Sequence, residues 1–166
     1  MDHNSARAWK LLSESVGTYS GRGINHEGEE YVSRLQLKLE LPEKLISLQS
    51  QARGGDDRLF HGEVSWIGRD LDGELTLYVD STNHPGVTPH AFEKLEESVN
   101  EKKIQFGFGE PTDKKSFREK ITLSIFSDGS IEHAYAWAMP GEDIQPRSAS
   151  RMQPEVFPTV ADIQLP

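Results

Sequence analysis

"ITLSIFSDGSIEHAYAWAM", residues 121–139, decides the fold. Ile121, Leu123 and Ile125 alternate with polar residues, and Phe117 continues the same face upstream. Asp128-Gly129 then supplies a tight-turn signal, because glycine accepts the positive φ that such turns demand. After the turn the alternation resumes. Ile131, His133, Tyr135, Trp137 and Met139 share one face, and Glu132, Ala134, Ala136 and Ala138 share the other. A period of two on both sides of a turn is an antiparallel hairpin.

The same pattern recurs upstream. In "YVSRLQLKLEL", residues 31–41, Leu35, Leu37, Leu39 and Leu41 alternate with Arg34, Gln36, Lys38 and Glu40. "KLISLQSQA" (44–52), "RLFHGEVSWIG" (58–68), "GELTLYVDST" (73–82) and "KKIQFGFGEP" (102–111) read as further strands. "VGTYSGRGI" (16–24) reads as the first, with Gly17, Tyr19, Gly21 and Gly23 on one face. A strand that bare needs a sharp bend, or a backbone or ligand coming close. Ahead of it, Trp9, Leu12 and Val16 fall at helical spacing, with Asn4 or Ser5 as the cap. "HPGVTPHAFEKLEESVNEK" (84–102) reads as a second short helix over 88–99, capped by Thr88 with Pro89 at its first position; the rival reading is a strand broken by Pro89.

Eight to ten consecutive strands with short turns predict an all-β meander, closed as an up-and-down β-barrel of about ten strands or folded as a sandwich. The expected domain spans 1–153, followed by an extended tail, 154–166. Closure at this strand number leaves room for one small ligand.

Composition narrows the function classes. The chain has 166 residues, one domain's length, and a formal net charge of −9. That charge argues against nucleic acid and against anionic membrane surfaces. The absence of cysteine excludes disulfides, thiolate metal sites and cysteine nucleophiles. No apolar run is long enough to span a bilayer and no signal-peptide pattern opens the chain, so a cytoplasmic location is expected.

No G-x-S-x-G elbow, phosphate loop or dinucleotide fingerprint is present, and the carboxylates read as spread over loops and solvent faces. No catalytic residue is assigned. Among His26, His61, His84, His90 and His133, only His61 pairs with a carboxylate on its own strand face, Glu63, and two ligands do not make a zinc site. No metal is expected. Two faces do have the mixture of a binding cavity: His61, Glu63, Ser65 and Ile67, and the face carrying His133, Tyr135 and Trp137. Near the end, "IQPRSASRMQP" (144–154) places Arg147 and Arg151 four apart. In a regular strand both point the same way, either to a ligand carboxylate or to a wet rim.

The order of a short helix, "GTYSGRG" (17–23), "LFHGEVSW" (59–66) and "IQPRSASRM" (144–152) resembles the nitrobindin-type, fatty-acid-binding-protein-like barrels of the calycin group, over roughly residues 8–152. The resemblance implies a ten-stranded lipocalin-like barrel around a cavity. In nitrobindins that cavity holds haem through a histidine in a "QPH"-like context. Here the matching position is Arg147, and arginine cannot ligate iron. His133 or His61 would have to substitute. Fatty-acid-binding proteins meet a carboxylate with arginine and tyrosine, a role the resemblance gives to Arg147, Tyr135 and Tyr19. The expected function is therefore a non-enzymatic carrier or sensor. It would hold a small hydrophobic or amphipathic ligand, an anionic lipid among the candidates, with Tyr19, His61, Glu63, His133, Tyr135, Trp137, Arg147 and Arg151 around it and no resident cofactor. The alternatives are a haem protein acting on reactive nitrogen species and a ligand-free barrel acting through its surface.

Overall fold

The computed structural model describes residues 3–25 and 27–155. One helix, α1 (His3–Glu14), precedes ten strands: β1 (Gly17–Ile24), β2 (Glu30–Leu41), β3 (Leu45–Arg53), β4 (Leu59–Arg69), β5 (Leu75–Ser81), β6 (His84–Glu97), β7 (Glu101–Phe108), β8 (Arg118–Phe126), β9 (Ile131–Ala138) and β10 (Gln145–Pro154). Each strand pairs antiparallel with its neighbour in sequence, and β1 pairs with β10 to close the barrel. The expected fold class is the one observed. Closure leaves no exposed sheet edge to template aggregation.

The 126–131 hairpin forms as its sequence demands. Gly129 N donates to Phe126 O at 3.0 Å, and Gly129 takes φ +81°. Asp128 Oδ1 accepts from Ser130 N at 3.0 Å. Ile125 then faces Ile131, Leu123 faces His133 and Ile121 faces Tyr135.

The lumen has two layers. The half nearest α1 is solid: Leu35, Leu37, Ile46, Leu48, Ile67, Leu77, Phe106, Ile121 and Leu123 are all buried. Ala8, Leu11 and Leu12 of α1 add to this core, and Arg7 ties the helix to Glu97 at 3.1 Å. Burying a side chain of the leucine or phenylalanine class contributes roughly 1.5–3 kcal/mol, so stability concentrates in this half. The helix begins at His3, ahead of the expected caps Asn4 and Ser5, and Val16 lies beyond its end and is exposed. The bare face of β1 is filled by its neighbours. A side chain at Gly21 would meet the Arg151 carbonyl and Met152, and one at Gly23 would meet the Tyr31 ring.

The helix expected over 88–99 is instead most of β6. Its period is two: His90 and Phe92 pack inward, while Ala91 and Glu93 are exposed. Pro89 is tolerated because β6 pairs with β7 only from Ala91 onward, so proline sits in the half without that partner. The segment from Pro154 begins in strand, with Glu155 N donating to Thr18 O at 2.7 Å. Residues 156–166 and His26 lie outside the described residues. No described helix is long and apolar enough to cross a membrane.

Candidate functional site: a polar cavity under the open end

The end of the barrel away from α1 is open, ringed by the connections β1–β2, β3–β4, β5–β6, β7–β8 and β9–β10. Beneath it lies a cavity of about 320 Å³. At about 30 Å³ per molecule, that is room for roughly ten waters, or one small organic molecule at the low end of ordinary ligand sites. Phe60, Phe117, Trp137, Tyr31 and Met152 form much of its apolar wall. His61, His133, Tyr135, Glu119 and Arg147 supply the polar part.

One network organises the depth. Glu63 on β4 is 3% exposed. It accepts hydrogen bonds from the Tyr135 hydroxyl and from Ser65 Oγ. His61 Nε2 lies 3.0 Å from the Tyr135 oxygen and 3.7 Å from Glu63 Oε2. Burial pushes the Glu63 carboxyl up, but the nearby His61 imidazole, the hydrogen bonds of Ser65 and Tyr135, and the charge that His133 takes on once acid protonates it outweigh burial and hold the carboxyl at about 2. Burial and the adjacent Glu63 charge drive the Tyr135 hydroxyl well above its ordinary range. Tyr135 therefore keeps its proton and Glu63 its charge.

Proton positions follow from this. The Tyr135 proton is committed to Glu63, so His61 must donate from Nε2 to the Tyr135 oxygen. His61 Nδ1 has no partner. His133 is 3% exposed, and burial lowers its pKa, which keeps the ring neutral. Its Nδ1 stands 3.4 Å from Ser50 Oγ, and its Nε2 has no partner. The Tyr135 ring packs on both imidazoles, with centroids 5.0 Å from His61 and 4.6 Å from His133.

A second buried acid–imidazole pair lies beside the first. His90 Nε2 is 3.0 Å from Glu119 Oε2, and both residues are buried. Among the described residues, no three of His, Cys, Asp and Glu converge as a metal site.

At the mouth, the Arg147 guanidinium stacks on Trp137 with its carbon 3.8 Å from the ring centroid, and it reaches Glu142 Oε2 at 3.3 Å. Its Nε is buried without a partner. Arg151 does not share that direction. It stacks on Phe126 and pairs with Asp128 at 2.9 Å, outside the barrel. The cause is a β-bulge. Pro146 opposes Ala136 and Ser148 opposes Tyr135, so Arg147 is the extra residue and inside–outside parity shifts at that point.

Of the residues singled out in the sequence, His61, His133, Tyr135, Trp137 and Arg147 line the cavity, and Glu63 lies directly behind Tyr135. Tyr19 sits in the solid half, its hydroxyl donating to Ser15 O at 2.7 Å. Arg151 is on the outer face. Sequence reasoning missed Glu119 and His90. Glu119 was visible as a charge in phase with Phe117, Ile121 and Leu123; His90 was hidden by the helical reading of its segment.

The chain matches no known family model and no curated protein sequence. Among solved structures it is similar to the crystal structure of Rv2717c from M. tuberculosis, with a TM-score of 0.69 and 15% identity over 90% of this chain and 98% of that one, a likeness in fold.

Proposed function

We propose that the protein is a non-enzymatic carrier or sensor that holds one small amphipathic molecule in the barrel cavity. The observation that carries this reading is the set of buried polar atoms without partners on residues that line it: His61 Nδ1, His133 Nε2 and Arg147 Nε. Buried polar groups are nearly always satisfied, and a set left open around one cavity is what a ligand would complete. The volume favours a compact ligand over a long acyl chain, because the lower half of the lumen is filled by the core. An anionic group on the ligand would meet Arg147 at the mouth. Native mass spectrometry of gently purified protein, followed by titration with a panel of small aromatic and acyl compounds, tests the reading. A co-purifying mass or saturable binding is expected. A chain that is empty and binds nothing in the panel refutes it and favours a barrel acting through its surface.

Haem is the second reading, because the resemblance to nitrobindin-type barrels implies it. The residues present do not fit it. Arg147 stands where the axial histidine is expected and cannot ligate iron. Both cavity histidines pack against Tyr135. Hemin titration should give no histidine-ligated Soret band. Such a band, lost in His133→Ala or His61→Ala, would restore the haem reading.

A further inference from the structure

We propose that the seam between β1 and β10 is the gate of the cavity: its upper part is latched by side chains instead of zipped by backbone, and the ligand enters where those latches part. This rests on the reading of the cavity as a ligand site and adds the route by which the site is reached.

The barrel is closed unevenly. β1 pairs with β2 along its whole length, from Gly17 to Ile24, and β10 pairs with β9 from Gln145 to Met152. Among the described residues, β1 and β10 pair with each other only through Tyr19, Ser20 and Gly21, against Pro154, Gln153 and Met152. Continued toward the open end, that register would set Arg22 against Arg151, Gly23 against Ser150 and Ile24 against Ala149. Two facing arginines repel, and a glycine adds no cross-strand side-chain contact, so this stretch has little to hold a ladder.

Side chains from β2 close it instead. Gly21 and Gly23 stand opposite Ser33 and Tyr31, and their missing side chains let those two reach across β1. The Tyr31 ring lies over Gly23, and its hydroxyl donates to Ala149 O at 3.2 Å. The Ser33 and Ser150 hydroxyls bond each other. Tyr31, Ser33, Ser148 and Ser150 all line the cavity, so the latched seam is part of the cavity wall.

The rim divides at the same place. Arg58 ties the β3–β4 connection to the β1–β2 connection through Glu29 at 2.8 Å. Arg118 donates to Pro111 O in the β7–β8 connection at 3.2 Å and to Glu142 O in the β9–β10 connection, and Gly141 N donates to Lys114 O at 2.7 Å. Among the described residues, the β1–β2 and β9–β10 connections share no such link. β6 also outruns its pairing with β7, but there β7 has ended at Phe108, and Glu119 of the next strand holds His90 at 3.0 Å. At the β1–β10 seam both strands run on past their last pair, and parting them breaks side-chain hydrogen bonds and no backbone ladder.

Hydrogen exchange on the full-length protein reads the gate without a ligand. The amides of residues 22–24 and 147–151 that point across the seam should exchange at least about 100-fold faster than those at 19–21 and 152–153 that pair across it. Equal protection overturns the proposal. Stopped-flow entry of 8-anilinonaphthalene-1-sulfonate reads the route. Tyr31→Phe removes one latch bond and keeps the ring. It should speed entry and exit together by about 2- to 10-fold, the worth of one net hydrogen bond. Arg58→Ala, which loosens the rim away from the seam, should leave both rates as they are. A larger effect from Arg58→Ala than from Tyr31→Phe overturns the proposal and sends the ligand through the rim. The chain has no cysteine, so Arg22→Cys with Arg151→Cys gives a single clamp across the outer face of the seam. Closing that clamp should slow entry at least about 10-fold, and reduction should restore the rate. A closed clamp that leaves entry unchanged overturns the proposal; should the pair not oxidise, exchange and Tyr31→Phe decide. If the dye does not bind at all, the ligand reading falls, and exchange alone decides whether the seam opens.

Discussion

Replacing Tyr135 with phenylalanine removes one oxygen from the centre of the cavity network and little else. That oxygen donates to Glu63 and accepts from His61. Holding Glu63 at about 2 rather than an ordinary 4.5 corresponds to roughly 3 kcal/mol of folding stability at neutral pH. At neutral pH His61, Ser65 and Tyr135 share that effect, which gives Tyr135 about 1 kcal/mol. A hydrogen bond to a charged group is independently worth about 1.5–3 kcal/mol. His61 Nε2, already 3.7 Å from Glu63 Oε2, can turn to the carboxylate and recover part, so the expected loss is about 1.5 kcal/mol. The sign of the pH dependence follows from the depressed pKa. Glu63 stabilises the fold above pH 4.5, and that contribution is lost as pH falls through about 2. A protonated Glu63 no longer needs the Tyr135 donor, so the gap between wild type and Tyr135→Phe should narrow between about pH 4 and pH 2. Urea denaturation across that series measures it. A loss below about 0.5 kcal/mol at pH 7, or a gap that stays constant down to pH 2, would refute the assignment of Tyr135 as the donor that holds Glu63 charged.

Gly129→Ala places a side chain at φ +81° and should lower stability by about 1 kcal/mol, read as a drop in Tm of roughly 2–4 °C. His90→Leu strips Glu119 Oε2 of its imidazole partner and should lower urea stability by about 2 kcal/mol. Arg147→Ala unstacks the mouth from Trp137 and breaks an exposed ion pair, so stability should change by less than about 0.5 kcal/mol, while stopped-flow binding of a hydrophobic dye becomes faster.

The sequence displayed the barrel because half-burial imposes a period of two, and almost every strand obeys it. The 121–139 hairpin needed nothing beyond alternation and Asp128-Gly129. Where reading failed, one residue outweighed the pattern. Pro89 with the acidic run after it mimicked a helix start, because the half of β6 without a β7 partner, which accommodates proline, is a property of the assembled sheet. Arg147 and Arg151 were assigned one direction because a bulge leaves no mark in sequence; it exists through the register of β10 on β9. His61, His133, Tyr135 and Trp137 were legible as polar or aromatic residues in phase with a core face. The link from Tyr135 to Glu63 was not, since the two lie 72 residues apart and meet across the lumen only when the barrel closes.

The division of the lumen into a solid half and a hollow half has a consequence for how this protein tolerates change. Along β9, Ile131 belongs to the packed layer, and His133, Tyr135 and Trp137, one pleat step apart, belong to the chamber. Every strand crosses both layers, so moving a few residues along the chain is enough to leave the part that holds the molecule together. Substitutions toward the open end can re-specify what enters while the helix-sealed base keeps the barrel closed. The same architecture can acquire a new occupant without rebuilding its foundation.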